Sequence, residues 1–302
     1  MQSKLSWERK ILPNGLTVLL YPRLCGLTTQ LSIAIKYGSS DDLKEKGGCA
    51  HFLEHMIVGG TQERIQLHNQ IEQLGGGSNL ESSDEYTLFT IDVFSEKISK
   101  ASEILSKLLF DSKFKQEKFD LEKKIILNEI DEASDNPRDK VAEALLKCLF
   151  KNHPVKNPVL GSKTSVKQLT LKDIEQAHQK YFTPQNMVLV LTGKFSNIDL
   201  EKVLLDFQDK TNNQIKIQKA KIKEEAKPTK SLIIQRAGLN QAYLSLGFRT
   251  PSASNPEVPT LDLIDAILGI GESSRLFVEL REKRALTYDF KSFNMSGLDY
   301  GY

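Results

Sequence analysis

Apolar residues recur along this chain with two different spacings, one of which predicts β-strands and the other α-helices. Strict alternation with smaller or polar residues, as in residues 31–37, is typical of a half-buried strand. A spacing of three or four, as in Ile98, Ala101 and Leu105, is typical of a helix with one buried face. The predicted strands span residues 16–21, 31–37, 86–93 and 187–192. The predicted helices span residues 49–58, 98–108, 115–133, 138–150 and 171–181.

The composition changes in residues 212–230, which are rich in Lys, Gln and Glu and contain Pro228. This stretch predicts a linker, with a short strand at 215–217, between a domain at 1–211 and a second domain at 231–302. About 70 residues are too few to bury a core like that of the first domain. We therefore expect the second domain to be incomplete, so that either the chain is a fragment or a partner completes it. The predicted elements of the second domain are strands at 231–235 and 242–248 and helices at 258–268 and 275–283. Their order resembles the opening of the first domain, but the sequence identity is too weak to define a repeat.

The charge and cysteine content exclude few classes of protein. With 41 basic and 39 acidic residues and a net charge of +2, the chain gives no support for a nucleic-acid or membrane-surface role. Cys25, Cys49 and Cys148 lie far apart and are odd in number, which favours a reducing compartment over a disulfide framework. The N-terminus lacks the apolar core of a secretory signal. The expected location is cytoplasmic by default, and a processed organelle or periplasmic form stays open.

The sequence His51-Phe-Leu-Glu54-His55 carries the strongest chemical indication in the chain. On a helix that ends at Gly59-Gly60, the two imidazoles four residues apart share one face and can reach one metal ion. Glu54 borders the same face, where a carboxylate can act as general base and activate zinc-bound water. This is the reversed HxxEH order of the inverzincins. The alternative is a helix whose histidines lie at a polar surface.

A catalytic zinc site normally needs a third protein ligand. His68, His153 and His178 are poor candidates, because each is expected at the surface. Glu122 and Glu129 lie seven residues apart on the predicted helix 115–133, so their side chains point the same way. One of them could bind the metal while the other supports a ligand or the water. The spacing alone does not separate them from other exposed glutamates.

Several further motifs occur along the chain in a fixed order. They are Leu12-Pro-Asn-Gly-Leu16, Gly48-Cys-Ala-His-Phe-Leu-Glu-His-Met56, Gly59-Gly-Thr61, Gly76-Gly-Ser-Asn79, Glu122 with Glu129, His153-Pro154, Leu160-Gly161, Ser274-Arg-Leu-Phe277, and Leu280-Arg281 through Tyr288. Through these motifs the sequence resembles, over most of its length, the insulinase, or pitrilysin-type, metallopeptidase family, and within it the mitochondrial-processing-peptidase-like bacterial members. The resemblance implies an α+β fold of two related α/β units, each an antiparallel-type sheet with helices packed on one side, the second truncated here. Relatives carry roughly another hundred residues in that second unit.

The resemblance also implies roles for five further residues. It implies Glu129 as the third zinc ligand and Glu122 as its partner, a residue that supports the site without binding the metal, with one Zn²⁺ per chain. Asn79 matches a position on a sheet-edge strand that binds the substrate backbone, although it could be a simple turn residue. Arg281 and Tyr288 match a pair that contacts substrate in the opposite half of a clamshell, so here they would act across a dimer. The plainer alternative is that both are structural.

These observations predict a zinc-dependent endopeptidase that hydrolyses peptides or unfolded protein segments. The expected partners are peptide substrates and a second subunit, either an identical chain or a paired homologous one. The first alternative is a non-catalytic scaffold subunit of a peptidase complex, although such subunits usually lack part of the metal motif. The second is a structural zinc site, which would favour four protein ligands, often cysteines, and none of the three cysteines has suitable spacing.

Overall fold

The computed structural model describes residues 7–58, 62–210, 222, 224–225 and 230–302, which form two compact units. The N-terminal unit comprises residues 1–136 and 157–219, and the C-terminal unit comprises residues 137–156 and 220–302. The predicted glycine stop at Gly59-Gly60, the predicted strand at 215–217 and most of the predicted linker lie outside the described residues. The domain boundaries at 211 and 231 therefore stay a prediction.

A six-stranded sheet forms the centre of the N-terminal unit, in the order β1-β2-β6-β3-β5-β4. All neighbouring strands run antiparallel except β2 and β6, which are parallel. The sheet thus has two edges, β1 and β4. The strands are β1 (Glu8–Ile11), β2 (Thr17–Pro22), β3 (Thr28–Ile35), β4 (Gly77–Ser82), β5 (Thr87–Phe94) and β6 (Met187–Gly193).

Helices follow the strands, and most begin and end close to the predicted residues. The helix that carries the HxxEH motif and the predicted helix at 171–181 have the predicted bounds. The helices are α1 (Cys49–Val58), α2 (Gln62–Gln73), α3 (Ile98–Phe110), α4 (Gln116–Asp135), α5 (Pro137–Leu149), α6 (Lys163–Gln168), α7 (Leu171–Tyr181), α8 (Asn197–Gln208) and α9 (Val258–Gly269).

One face of the sheet is buried beneath helices, and the other is more open. In β6, Met187, Leu189 and Leu191 are fully buried while the residues between them are half-buried, as the alternation of strand side chains requires. The buried residues of β2, β3, β5 and β6 form a single apolar core with those of α1, α3, α4, α7 and α8. This arrangement confirms the predicted α+β fold and gives α1 and α4 a rigid support.

Helix α1 is anchored at both ends by polar side chains. The Asp42 carboxylate accepts hydrogen bonds of 2.8 Å and 3.1 Å from the backbone N–H groups of Gly48 and Ala50. At the other end the buried Lys118 ammonium donates to the Met56 carbonyl over 2.9 Å. Burial raises the pKa of Asp42 to about 7, so its charge is only partial near neutral pH, and its hydrogen bonds satisfy N–H groups at the start of α1. The Lys118 ammonium opposes the partial negative charge of the other helix end. The metal motif therefore lies on a helix that is held at both ends.

The chain enters α1 through a close backbone contact that only glycine allows. Gly48 and Gly161 adopt φ angles of +92° and +75°, in the left-handed region. A Cβ atom on Gly161 would lie 2.2 Å from the Gly47 carbonyl oxygen, and one on Gly48 would lie 2.5 Å from the Leu160 carbonyl oxygen. The two glycine segments thus fix the position at which α1 begins.

The C-terminal unit differs from the sequence prediction in its strands. The predicted strands at 231–235 and 242–248 are wrong, because both segments are irregular. A strand needs a neighbouring strand that forms hydrogen bonds with its backbone N–H and C=O groups. Among the described residues of this unit, the β-pairing is limited to a single bridge between Ser296 and Gly301. The predicted helix at 258–268 is confirmed as α9, and the one at 275–283 is a π-helical segment, Phe277–Glu282.

His153 is buried, which corrects the prediction that it lies at the surface. Its Nε2 atom lies 3.0 Å from an Asp299 carboxylate oxygen, and its Nδ1 atom accepts a hydrogen bond from the Val155 N–H group. Its ring packs 4.8 Å from that of Tyr300. The imidazole therefore links residues 150–156 to the end of the chain within the C-terminal unit. Its role there is structural.

Two whole-chain features bear on the predicted environment. Among the residues described, no helix combines the length and apolar character needed to cross a membrane. Cys25, Cys49 and Cys148 are all free thiols, as their spacing predicts. The reducing compartment inferred from these cysteines stays a prediction.

Candidate metal centre

Three predicted ligands converge between α1 and α4. One ligand atom from each of His51, His55 and Glu129 lies within 4.8 Å of the others. A Glu129 oxygen is 3.8 Å from Nε2 of His51 and 3.5 Å from Nε2 of His55. The two imidazole rings share one face of α1 with their centroids 4.6 Å apart, as a spacing of four residues requires. The folded chain therefore gathers two nitrogens and one carboxylate oxygen at one point.

Glu122 supports this cluster from the buried side of α4. Its carboxylate is only 3% exposed and lies 3.0 Å from Nδ1 of His55. A carboxylate there accepts a hydrogen bond from Nδ1–H and so keeps the proton on Nδ1, which leaves the Nε2 lone pair facing Glu129. Burial lowers the pKa of His55, but the hydrogen bond to Glu122 and the negative charges of Glu129, Glu122 and Glu54 outweigh it, so the pKa is raised.

The other two ligands show the electrostatic character of the centre. Burial, and then the neighbouring His55, lower the pKa of His51 to about 3, so its imidazole stays neutral. Its Nδ1 atom is buried without a hydrogen-bond partner among the described residues. Burial, followed by the negative charges of Glu54 and Glu122, raises the pKa of Glu129 despite the opposing effect of His55. Three carboxylates thus crowd around two imidazoles, an arrangement that a cation relieves.

The donor set fits zinc. Two imidazole nitrogens and one carboxylate oxygen are the ligands of many catalytic zinc sites, in which a fourth position is left for water. In the described part of the chain, this group of His51, His55 and Glu129 contains no cysteine and no fourth ligand, unlike a closed structural site. The cluster can therefore hold an ion that also contacts a substrate.

Glu54 lies on α1 beside the ligands and has a partner that the sequence did not predict. Its Oε2 atom accepts a hydrogen bond of 2.5 Å from the Ser82 hydroxyl at the end of β4. The two residues are 28 positions apart, and serine has no spacing pattern that would single it out. Only the folded sheet brings them together.

Asn79 lies on β4, at the edge of the sheet. It pairs with Thr90 of β5, and its side chain is exposed. The outer edge of β4 faces away from the other strands, because β4 is last in the strand order. Ser82 is on the same strand, three residues further along. The centre and a sheet edge are thus joined through one short strand.

Arg281 and Tyr288 lie together in the C-terminal unit. The Arg281 guanidinium carbon is 4.6 Å from the centroid of the Tyr288 ring and 4.9 Å from that of Phe277. Tyr288 is 83% exposed. Arginine stacked between two rings is a stable surface arrangement that keeps hydrogen-bond donors available.

Two protein-family models match consecutive parts of this chain. Residues 26–163 match the model described as insulinase (peptidase family M16), and residues 168–302 match the model described as peptidase M16 inactive domain. The first match contains every residue of the candidate metal centre. The second contains one of the five histidines, His178. The candidate metal ligands thus lie in the first match, and none of them lies in the part that matches the model described as an inactive domain.

Curated proteins similar to this chain include several named as zinc proteases. The chain is 31% identical over 293 residues to an uncharacterised zinc protease of Rickettsia bellii. This alignment covers 96% of this chain and 70% of that protein. The chain is 28% identical over 295 residues to an uncharacterised zinc protease of Mycobacterium leprae, in an alignment that covers 94% of this chain and 65% of that protein. The chain therefore spans about two thirds of the length of these relatives.

Solved structures show the same fold. A protease from Helicobacter pylori superimposes with a TM-score of 0.86 at 22% identity, over 98% of this chain and 73% of that one. A peptidase M16 inactive domain from Pseudomonas fluorescens gives a TM-score of 0.83 at 21% identity, with the same coverage. At such identities the likeness concerns the fold alone.

Proposed function

Because this chain belongs to the insulinase family, peptidase family M16, we propose that it is a zinc-dependent endopeptidase that cleaves peptides or unfolded protein segments. The observation that carries the proposal is the convergence of His51, His55 and Glu129, with Glu54 beside them on α1. The names of the similar proteins support zinc and peptidase chemistry in general. One Zn²⁺ per chain and these residue roles are part of the proposal, as is the closer likeness to mitochondrial-processing-peptidase-like members.

Zinc held by His51, His55 and Glu129 would supply positive charge that polarises a water molecule and the scissile carbonyl. Glu54 accepts a proton from that water as the water oxygen bonds to the carbonyl carbon. The C–N bond then breaks, and Glu54 returns the proton to the departing amine nitrogen. Glu122 holds His55 in the tautomer that leaves its Nε2 atom free. Each of these residues therefore has one task in the cycle.

The outer edge of β4 is the proposed site for the substrate backbone. An extended peptide that adds to a sheet edge is bound through main-chain hydrogen bonds, so most sequences can bind. Asn79 lies on this strand with an exposed side chain, which can bond the peptide as well. This mode of binding favours peptides and unfolded segments, because a compact protein offers few free extended strands.

A second subunit completes the proposed enzyme. The half-buried Arg281 and the exposed Tyr288 offer a guanidinium and a phenol hydroxyl, both of which can bond a peptide carbonyl in the transition state. We assign the pair to substrate contact in the partner's active site. The partner is a second copy of this chain or a homologous subunit.

The test of the enzyme is cleavage of a mixed peptide library by the parent chain and by Glu54→Gln, with the zinc content of both measured. Cleavage by the parent alone, with equal zinc in both, is the expected result and assigns the general base. Glu117→Gln, an exposed glutamate at the start of α4, is the matched control and should cleave like the parent. Zinc in both with cleavage by neither would favour the non-catalytic scaffold, and absence of zinc from both would overturn the proposal.

The partner is tested by mixing two inactive variants. Glu54→Gln removes the base of one chain, and Tyr288→Phe removes a hydroxyl that would act in the other chain's site. Mixed dimers then contain one complete site, so we expect activity to return on mixing. Two variants that stay inactive together, in a mixture shown by sedimentation to be dimeric, would contradict action across subunits.

A further inference from the structure

The hydrogen bond between Ser82 and Glu54 joins the sheet edge to the proposed general base. The Ser82 hydroxyl donates to Oε2 of Glu54 over 2.5 Å, and both side chains are partly buried. A hydrogen bond to an ionised carboxylate is shorter and stronger than one between neutral groups. The serine can therefore restrict where the carboxylate lies.

Ser82 itself is fixed by the sheet. It pairs with Thr87 of β5, which is buried and donates a hydrogen bond of 2.9 Å from its hydroxyl to the Tyr37 carbonyl. The next carbonyl along the chain, that of Ser83, accepts the Ser39 N–H group over 3.0 Å. The Ser82 backbone is thus held by its pairing with Thr87 and by the contact of the neighbouring Ser83, so its hydroxyl projects from a fixed backbone.

Glu54 needs such a fixed point, because a glutamate side chain has three rotatable bonds and must meet a water molecule at one place. The serine bond engages Oε2 and leaves Oε1 to receive the proton. A hydroxyl orients the carboxylate without the opposite charge that a lysine or arginine would bring. Catalytic groups held by supporting hydrogen bonds react faster than loosely held ones.

We propose that Ser82 is a positioning residue that holds the Glu54 carboxylate in its reactive place, and this inference rests on the proposed function. Because Ser82 and Asn79 belong to the same strand, the strand that binds the peptide also sets the position of the base. A peptide that adds to the edge of β4 is therefore aligned with the group that activates the attacking water.

The kinetic test compares the parent with Ser82→Ala and Ser82→Thr. Loss of the hydroxyl should lower kcat about tenfold to a hundredfold, the usual effect of removing a supporting hydrogen bond, and leave KM within about twofold. Zinc content should not change, since the Ser82 hydroxyl bonds Glu54 and not one of the three proposed ligands. Ser82→Thr keeps the hydroxyl and should recover most of kcat. A kcat of Ser82→Ala equal to that of the parent would overturn the proposal.

Ser102→Ala is the matched control, because the Ser102 hydroxyl donates to the Asp206 carboxylate over 2.7 Å between α3 and α8. It removes a bond of the same type outside the metal centre and should leave kcat unchanged. An equal fall in kcat for Ser102→Ala and Ser82→Ala would show a general structural effect and overturn the positioning role.

A second readout does not depend on activity. Crystal structures of the parent and of Ser82→Ala should show one Glu54 conformation in the parent and two or more in the variant. A Glu54 carboxylate that keeps its place without the serine would overturn the inference. If the parent cleaves no peptide, the proposed function fails, and these structures still decide whether Ser82 positions Glu54.

Discussion

Nδ1 of His55 lies 3.0 Å from a carboxylate oxygen of Glu122, on a different helix and 67 residues away. The bond fixes both the orientation and the tautomer of the imidazole before any metal arrives. Glu122 and Glu129 occupy the same face of α4, yet only Glu129 approaches both Nε2 atoms. Burial distinguishes the two glutamates, since the Glu122 side chain is 3% exposed and that of Glu129 is 35% exposed.

Replacing Glu122 should weaken zinc binding without removing a ligand. In Glu122→Gln the neutral amide holds the His55 ring less firmly, so we expect zinc affinity to fall about tenfold to a hundredfold. Competition with a chromophoric chelator measures the affinity. Glu117→Gln makes the same chemical change at an exposed position of α4 and should bind zinc like the parent. Equal affinities for the parent and Glu122→Gln would show that the Glu122 hydrogen bond is dispensable.

Zinc should stabilise the folded chain, because only folding brings the proposed ligands of α1 and α4 together. An ion that binds the folded state alone stabilises it by about 2.7 kcal/mol at a concentration one hundred times its Kd. We expect the melting temperature to rise on addition of zinc, and Glu129→Gln to lose most of the rise at the same concentration. Glu132→Gln, on the same helix, serves as the control. An undiminished rise in Glu129→Gln would exclude Glu129 as a ligand.

Gly161 should not tolerate alanine. Its φ of +75° and the 2.2 Å between the added Cβ and the Gly47 carbonyl oxygen both oppose the substitution. We expect Gly161→Ala to lower the free energy of unfolding by about 1–3 kcal/mol, measured by urea titration. Gly77→Ala is the control, since a Cβ there meets nothing within 4 Å. Similar unfolding midpoints for both variants would refute the close contact.

The C-terminal unit should lose stability in acid through Asp299. Burial raises the pKa of this carboxyl, but hydrogen bonds from the Ile222 N–H group and from His153 outweigh it and lower the pKa. A lowered carboxyl pKa means that the unfolded chain binds the proton more readily. The stabilisation is therefore present above the ordinary pKa of 3.8 and is lost as the pH falls through the lowered value.

Asp299→Asn should accordingly be less stable than the parent at pH 7 and should lose less stability below about pH 4. Near-ultraviolet circular dichroism follows the unfolding through the ordered aromatic rings, among them that of Tyr300, which packs on His153. Asp289→Asn alters an exposed carboxylate of the same unit, paired with Arg138, and should keep the parent's acid response. Identical pH profiles for the parent and Asp299→Asn would contradict the role of Asp299.

The sequence predicts local elements well where one pattern dominates. Helix α1 spans the predicted residues 49–58, because its apolar residues recur at helical spacing on one buried face. Strand β1 and helix α6 were not predicted, since each is short and mainly polar. The strands predicted at 231–235 and 242–248 have strand-like composition, but composition cannot provide a neighbour to pair with.

Residue spacing predicts only which residues of the candidate site share a helix face. A spacing of four places His51 and His55 on one face, and a spacing of seven does the same for Glu122 and Glu129. Neither spacing shows which glutamate meets the imidazoles, so the assignment depended on the family resemblance. The contact between Ser82 and Glu54 depends on where β4 lies in the sheet, which no local pattern records.

The position of β4 at the edge of the sheet also carries a hazard. A strand whose backbone groups can accept a peptide can equally accept the same strand of another molecule, which is a route to aggregation. Five of its six residues are glycine or polar, and Glu81 is charged and exposed. Two copies placed side by side would bring like charges together, whereas an apolar or basic peptide meets no such repulsion. The composition of β4 thus discourages self-association at the same edge that the proposed substrate needs.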